Sequence, residues 1–241
     1  MLLFGYELKK IFGKLRLFTL GCFAINLLGV SSLWSYSNSE SVVHSALYST
    51  YLPNLTLECA ILALLLTHSL IGFEYSNRTE NVVYSTATGR KCLCHKLAAA
   101  VAAVLIYSGL LFCATIAAYF IMGGTNTDWS LFAKVIPISF GIILLFALFA
   151  FAAGLAIRNP WVAVIMSASI NTAWVGVVMN FPDEPLLRLP LMGLVISQKA
   201  WYTDFNGTLP HFELIGFALT GIVLTASCLL AYKIFRRRDI L

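Results

Sequence analysis

A carboxylate and an imidazole stand inside a stretch that is otherwise apolar. Residues 55–73 read LTLECAILALLLTHSLIGF and hold Glu58 and His68. These groups could in principle share acid–base work, but their spacing opposes it. On one helix they are separated by roughly 15 Å of axial rise, whereas a nucleophile and its base must converge. Ionisable groups in an apolar segment face a bundle interior or a wet cavity. Glu58, shortly after Pro53, is therefore either a substrate-facing carboxylate or a residue at the level of the outer headgroups. His68 is expected to bond a neighbouring helix, because a proton relay would need further acids deep in the bundle and the apolar segments hold none. Asn26, Asn171 and Trp174 are further polar or amphipathic groups in apolar segments. With Glu58 and His68 they are the candidates for lining a path.

Other chemistry is poorly represented. Cys92, Cys94 and His95 resemble a fragment of a metal site, but a four-ligand site lacks its second half here, so they read as structural residues. Cys22, Cys59, Cys113 and Cys228 are scattered through apolar segments and read as small apolar residues. The chain has no G-x-x-x-x-G-K-[ST], no H-E-x-x-H and no G-x-S-x-G. We therefore expect a non-catalytic chain that binds no metal or cofactor of its own.

The elements that would position these residues follow from composition. Of 241 residues, 59% are hydrophobic and 11% charged, against about 25% charged in a soluble domain. This points to a single all-α membrane domain over 1–241, since a span must satisfy its backbone groups internally. A helix needs about 20 apolar residues to cross. Spans are expected at 17–36, 55–73, 97–122, 131–157, 161–181 and 214–232. Of the 16 Lys and Arg, only Lys134, Arg188 and Lys199 fall on the outer side of this arrangement. That asymmetry places both termini in the cytosol. The net charge of +5 is then explained by topology and lipid headgroups, without nucleic acid.

Residues 1–16 read as an amphipathic helix in the inner interface. Leu3, Phe4, Leu8, Ile11, Phe12 and Leu15 cluster on one side, and Glu7, Lys9, Lys10 and Lys14 supply charge elsewhere. Residues 74–96 form a basic cytosolic loop between the second and third spans. Glu74 and Lys96 flank it as hinge charges at the membrane surface, where they could pair with each other or with Lys9 and Lys10. Within the loop, Val82, Val83 and Tyr84 could fill an apolar cleft on a partner, while Arg78, Arg90 and Lys91 meet an acidic rim. Residues 182–213 are apolar at their centre but broken by Pro190 and Gly193, and read as re-entrant or surface-lying outer helices.

Several of these features together resemble the membrane subunit of a type-2 ATP-binding cassette exporter, the ABC-2 permease family. They are the N-terminal helix with Tyr6-Glu7-Leu8-Lys9-Lys10-Ile11, the six spans, Glu74 closing the second span, the turn Ala87-Thr88-Gly89-Arg90, Lys96 entering the third span, and broken outer helices before the last span. The resemblance covers the whole chain. It implies a cytosolic coupling helix between spans 2 and 3, seated on a separate ATPase present in two copies that binds ATP and Mg. It also implies a second permease copy or a related permease, in a bacterial cytoplasmic membrane. Small permeases of this kind resemble those for bacteriocin immunity and amphipathic peptide export in Gram-positive bacteria. The expected function is thus export of amphipathic peptides or similar amphiphiles. A secondary transporter or channel is the alternative, and an intramembrane enzyme a more distant one.

Overall fold

The computed structural model describes residues 2–14, 16–36, 51–76, 87–121, 129–157, 159–180 and 211–238. Among the described residues there are seven helices and no strand: α1 (Leu2–Lys14), α2 (Arg16–Tyr36), α3 (Leu52–Ser76), α4 (Ala87–Ile121), α5 (Trp129–Ala156), α6 (Pro160–Asn180) and α7 (His211–Arg238). Three apolar stretches are long enough to cross a membrane: Asn54–Ile71 in α3, Leu93–Ile121 in α4 and Val135–Ala156 in α5. Shorter apolar stretches lie in α2 (Leu20–Gly29), α6 (Val162–Asn171) and α7 (Ala218–Leu230). The chain is a helical membrane protein in these terms.

Local chemistry accounts for several helix ends. Asn159 caps α6, since its side-chain oxygen accepts from the Val162 amide at 3.3 Å and its carbonyl from Ala163 at 3.0 Å. Pro160 then occupies the first helical position, where its missing N–H costs nothing. Pro53 stands in the first turn of α3 for the same reason.

The most polar apolar helix, α3, is also the most enclosed. It packs most extensively on α5, then on α4 and α6, and more lightly on α1 and α2. Leu52, Leu55, Leu62 and Leu66 are fully buried in this core. On α4 the matching face is built largely of small residues, Ala99, Ala100 and Ala103, which let the backbones approach. Aromatic pairs extend the packing outward. Phe12 meets Tyr107 at 5.0 Å between α1 and α4, and Phe112 meets Phe140 at 5.4 Å between α4 and α5.

The structure revises three expectations. Residues 87–96 are not loop: the proposed turn at Ala87-Thr88-Gly89-Arg90 belongs to α4, which runs without a break into the third apolar stretch. Ala, Arg, Lys, Cys and Leu at these positions are compatible with a helix, and one glycine does not end it. Glu7 is not on the solvent side of α1 but 2% exposed, on the same face as Phe4, Leu8 and Ile11. Lys96 is not a surface hinge charge but fully buried.

Much of the expected coupling loop, with Arg78, Val82, Val83 and Tyr84, lies outside the described residues, as do residues 182–210 of the outer loop. The last residues of that loop, 211–213, are already the start of α7. Glu74, Arg90, Lys91, Lys14 and Trp174 have described backbones in α3, α4, α1 and α6, but their side chains lie outside the description.

Candidate functional site

Most of α3 is enclosed, and what remains open forms a stripe. Asn54, Ile61 and Ser69 are exposed, and Glu58 and Leu65 are half-buried. With 3.6 residues per turn, these five positions fall within an arc of roughly 80°. Towards one side of the stripe α3 bonds α2, and towards the other it bonds α6. The open face of α3 therefore lies between its contacts with α2 and α6, and Glu58 is the carboxylate on it.

Two polar rungs tie α3 to α2. Tyr51 donates its hydroxyl to the Gly29 carbonyl at 2.7 Å. One level deeper, Asn26 donates its side-chain amide to a Glu58 carboxylate oxygen. The same Asn26 nitrogen also donates to the Cys22 carbonyl at 3.0 Å. Apolar contact between α2 and α3 is slight, so these polar bonds carry much of the seam.

On the other side, His68 and Ser167 meet at 3.3 Å through Nε2 and Oγ, linking α3 to α6. Asn171, one turn further along α6, donates to the Ser167 carbonyl at 2.7 Å. Ala163, Ser167 and Asn171 recur every four residues and are all buried, which defines the face that α6 turns to the bundle. His68 Nδ1 is buried without a hydrogen-bond partner among the described residues. It lies against α5, where a Cβ on Gly154 would approach it to 3.2 Å and Ile71 Cδ1 to 2.9 Å. Gly154 thus permits the close α3–α5 crossing.

A charged cluster lies at the C-terminal end of α3. The Lys96 ammonium donates to Glu7 at 3.4 Å and to the Leu70 carbonyl at 3.4 Å, joining α4, α1 and α3. Lys10 donates to the other Glu7 oxygen at 3.3 Å and stands 4.6 Å over the Tyr6 ring. Lys9 remains exposed on α1. This is a buried ion pair between an amphipathic helix and a membrane helix, and sequence reasoning had not paired these two residues.

The structure therefore sorts the predicted path residues into two sites. Asn26 and Glu58 are joined, and His68 and Asn171 share Ser167, but the two pairs do not touch. Sequence reasoning missed Tyr51, Gly154 and Ser167, and Glu7 as the partner of Lys96. Periodicity could have marked both Glu7 and Lys96 as buried, though not as partners. Glu7 sits at i+3 from Phe4 and i−4 from Ile11, and Lys96 sits at i+3 from Leu93 and i−4 from Ala100, so both charges fall on apolar faces. Cys94 and His95 are exposed, and among the described residues no group of three His, Cys, Asp or Glu side chains is placed to hold a metal.

No known family model matches the chain, and no curated protein matches it.

Proposed function

We propose that the chain is the membrane subunit of an ATP-driven exporter, of the ABC-2 permease type, which moves amphipathic peptides or similar amphiphiles out of a bacterial cell. The observation that supports this reading is the open stripe of α3 between its contacts with α2 and α6, where Asn54, Glu58 and Ser69 alternate with Ile61 and Leu65. An amphiphile needs such a surface, with apolar area along its length and polar groups at intervals. In this reading α2 through α7 are the six spans and both termini are cytosolic. Two copies, or this chain and a related one, face each other across these stripes. Two-fold pairing is the commonest arrangement of such assemblies.

The inner end supports the mechanical half of the proposal. In this reading residues 77–86 meet the ATPase, and they connect α3 directly to α4. The Lys96–Glu7 pair and the Leu70 carbonyl tie both helices to α1 at that end, so a push on the connection would move the three together. ATP and Mg would be held by the partner ATPase, because this sequence carries no phosphate-binding loop.

The test is reconstitution with a candidate cassette ATPase from the same genome. Proteoliposomes holding both should move a fluorescent amphipathic peptide only with hydrolysable ATP. Transport that ignores ATP and follows an ion gradient would overturn the proposal in favour of a secondary transporter.

A further inference from the structure

Glu58 is short of partners. It lies four residues beyond Asn54, the start of the apolar stretch, and so about 6 Å inside it. Its one hydrogen bond among the described residues is from Asn26, and no Lys, Arg or His there pairs with it. A carboxylate can accept up to about four bonds, and a charge at membrane depth is costly without a partner. Asn26 uses its amide nitrogen on Glu58 and on the Cys22 carbonyl, which leaves its Oδ1 as a further acceptor. Neither Asn26 Oδ1 nor the second carboxylate oxygen is among the sealed, unpartnered atoms of the bundle. Ile61 and Leu65 continue the same stripe inward, with Ile61 45% exposed, and Asn54 lies exposed one turn outward.

We infer that Glu58 and Asn26 form a binding site for a primary ammonium group carried on an apolar tail. The ammonium donates to the free Glu58 oxygen and to Asn26 Oδ1, and the tail lies along Ile61 and Leu65. An ammonium has three donors and one charge, which suits one carboxylate and one amide oxygen on neighbouring helices. A divalent cation suits it poorly, since calcium takes about six to eight oxygens. This deepens the proposed function by naming the charge and shape of the substrate. The ammonium could belong to a peptide or free amphiphile, or to the headgroup of a lipid such as phosphatidylethanolamine.

The experiment uses the full chain in phosphatidylcholine nanodiscs, without ATPase or transport. Two photoprobes of equal chain length carry a mid-chain diazirine, one ending in a primary amine and the other in a hydroxyl. Adducts are mapped by peptide mass spectrometry. The amine probe should label α3 around Ile61 and Leu65 at about tenfold to a hundredfold lower concentration than the alcohol, the range of a charge-assisted hydrogen bond. Glu58→Gln should bring the amine to the level of the alcohol while adducts elsewhere stay unchanged, and Asn26→Leu should weaken the amine less. Equal labelling by both probes, or amine labelling that survives Glu58→Gln, would overturn the site. Adding phosphatidylethanolamine identifies the source: competition with the amine probe means that a lipid headgroup occupies the site, and its absence points to a free amphiphile. Since no ATP is involved, failure here would remove the ammonium site and leave the exporter proposal to its own test.

Discussion

Replacing Glu7 should damage the fold more than its place on an 'interfacial' helix suggests. At 3.4 Å, Glu7 and Lys96 attract each other by about 5 kcal/mol at an effective dielectric of 20. Burying the two ions costs several kcal/mol each, so the pair as a whole is close to neutral. Removing one partner is different, because the other stays buried. Glu7→Leu leaves the fully buried Lys96 without this carboxylate, although it keeps the Leu70 carbonyl, and should cost up to about 3–5 kcal/mol. Lys96→Met leaves Glu7 with Lys10 at 3.3 Å and should cost less than an isolated buried charge would. Glu7→Leu with Lys96→Met removes both charges and should recover most of the loss. The assay is thermal unfolding of purified protein in one detergent, followed by monodispersity after heating. A loss of that size should lower the apparent Tm by on the order of 10 °C. Additive effects, with the double variant no more stable than Glu7→Leu alone, would show that the two residues are not coupled and refute the buried pair.

Gly154→Ala should destabilise by about 1–3 kcal/mol through overpacking at the α3–α5 crossing. Adding Ile71→Val removes the Cδ1 atom that the new methyl would meet at 2.9 Å, so the double variant should unfold at a higher temperature than Gly154→Ala alone. Ser167→Ala should cost about 1 kcal/mol by removing the partner of His68 Nε2, and His68→Ala in that background should add less than it does alone. Tyr51→Phe should loosen the α2–α3 seam by losing the bond to Gly29, seen as faster hydrogen exchange of the outer half of α2. In the exporter, Tyr84→Ala with Arg90→Glu should leave insertion intact but separate ATP hydrolysis from transport. Unchanged transport by that variant would remove residues 77–94 as the coupling element.

Much of this protein could be read from its residues in order. Apolar runs of about 20 residues have few alternatives to a membrane helix, so the helices at 55–73, 97–122 and 131–157 were legible from hydropathy alone. Helix boundaries were less legible. Ala87-Thr88-Gly89-Arg90 is polar and glycine-containing and reads as a turn, yet the helix continues through it, because one glycine costs only about 1 kcal/mol and the growing helix supplies the bonds. That His68 would bond a neighbouring helix followed from the cost of an unpaired imidazole in an apolar segment, but which helix did not. Ser167 is 99 positions away, and nothing local selects it.

Partners were what only the tertiary structure decided. Glu7 and Lys96 each looked like a surface charge next to other charges, and the pattern gave no reason to join residues 89 positions apart. Their positions on apolar faces were in the sequence, but a buried charge is tolerable only opposite its counter-charge, and that opposition exists only once α1 lies on α4. The same holds for Glu58. Its type and depth were evident from residues 55–73, whereas its place on the open stripe of α3, beside Asn26 of α2, depends on how α3 rotates when α5 and α4 cover its other faces. Hydropathy fixes which segments leave water, because transfer is a property of each residue. Which polar group meets which is a property of pairs, and the packing of the bundle decides it.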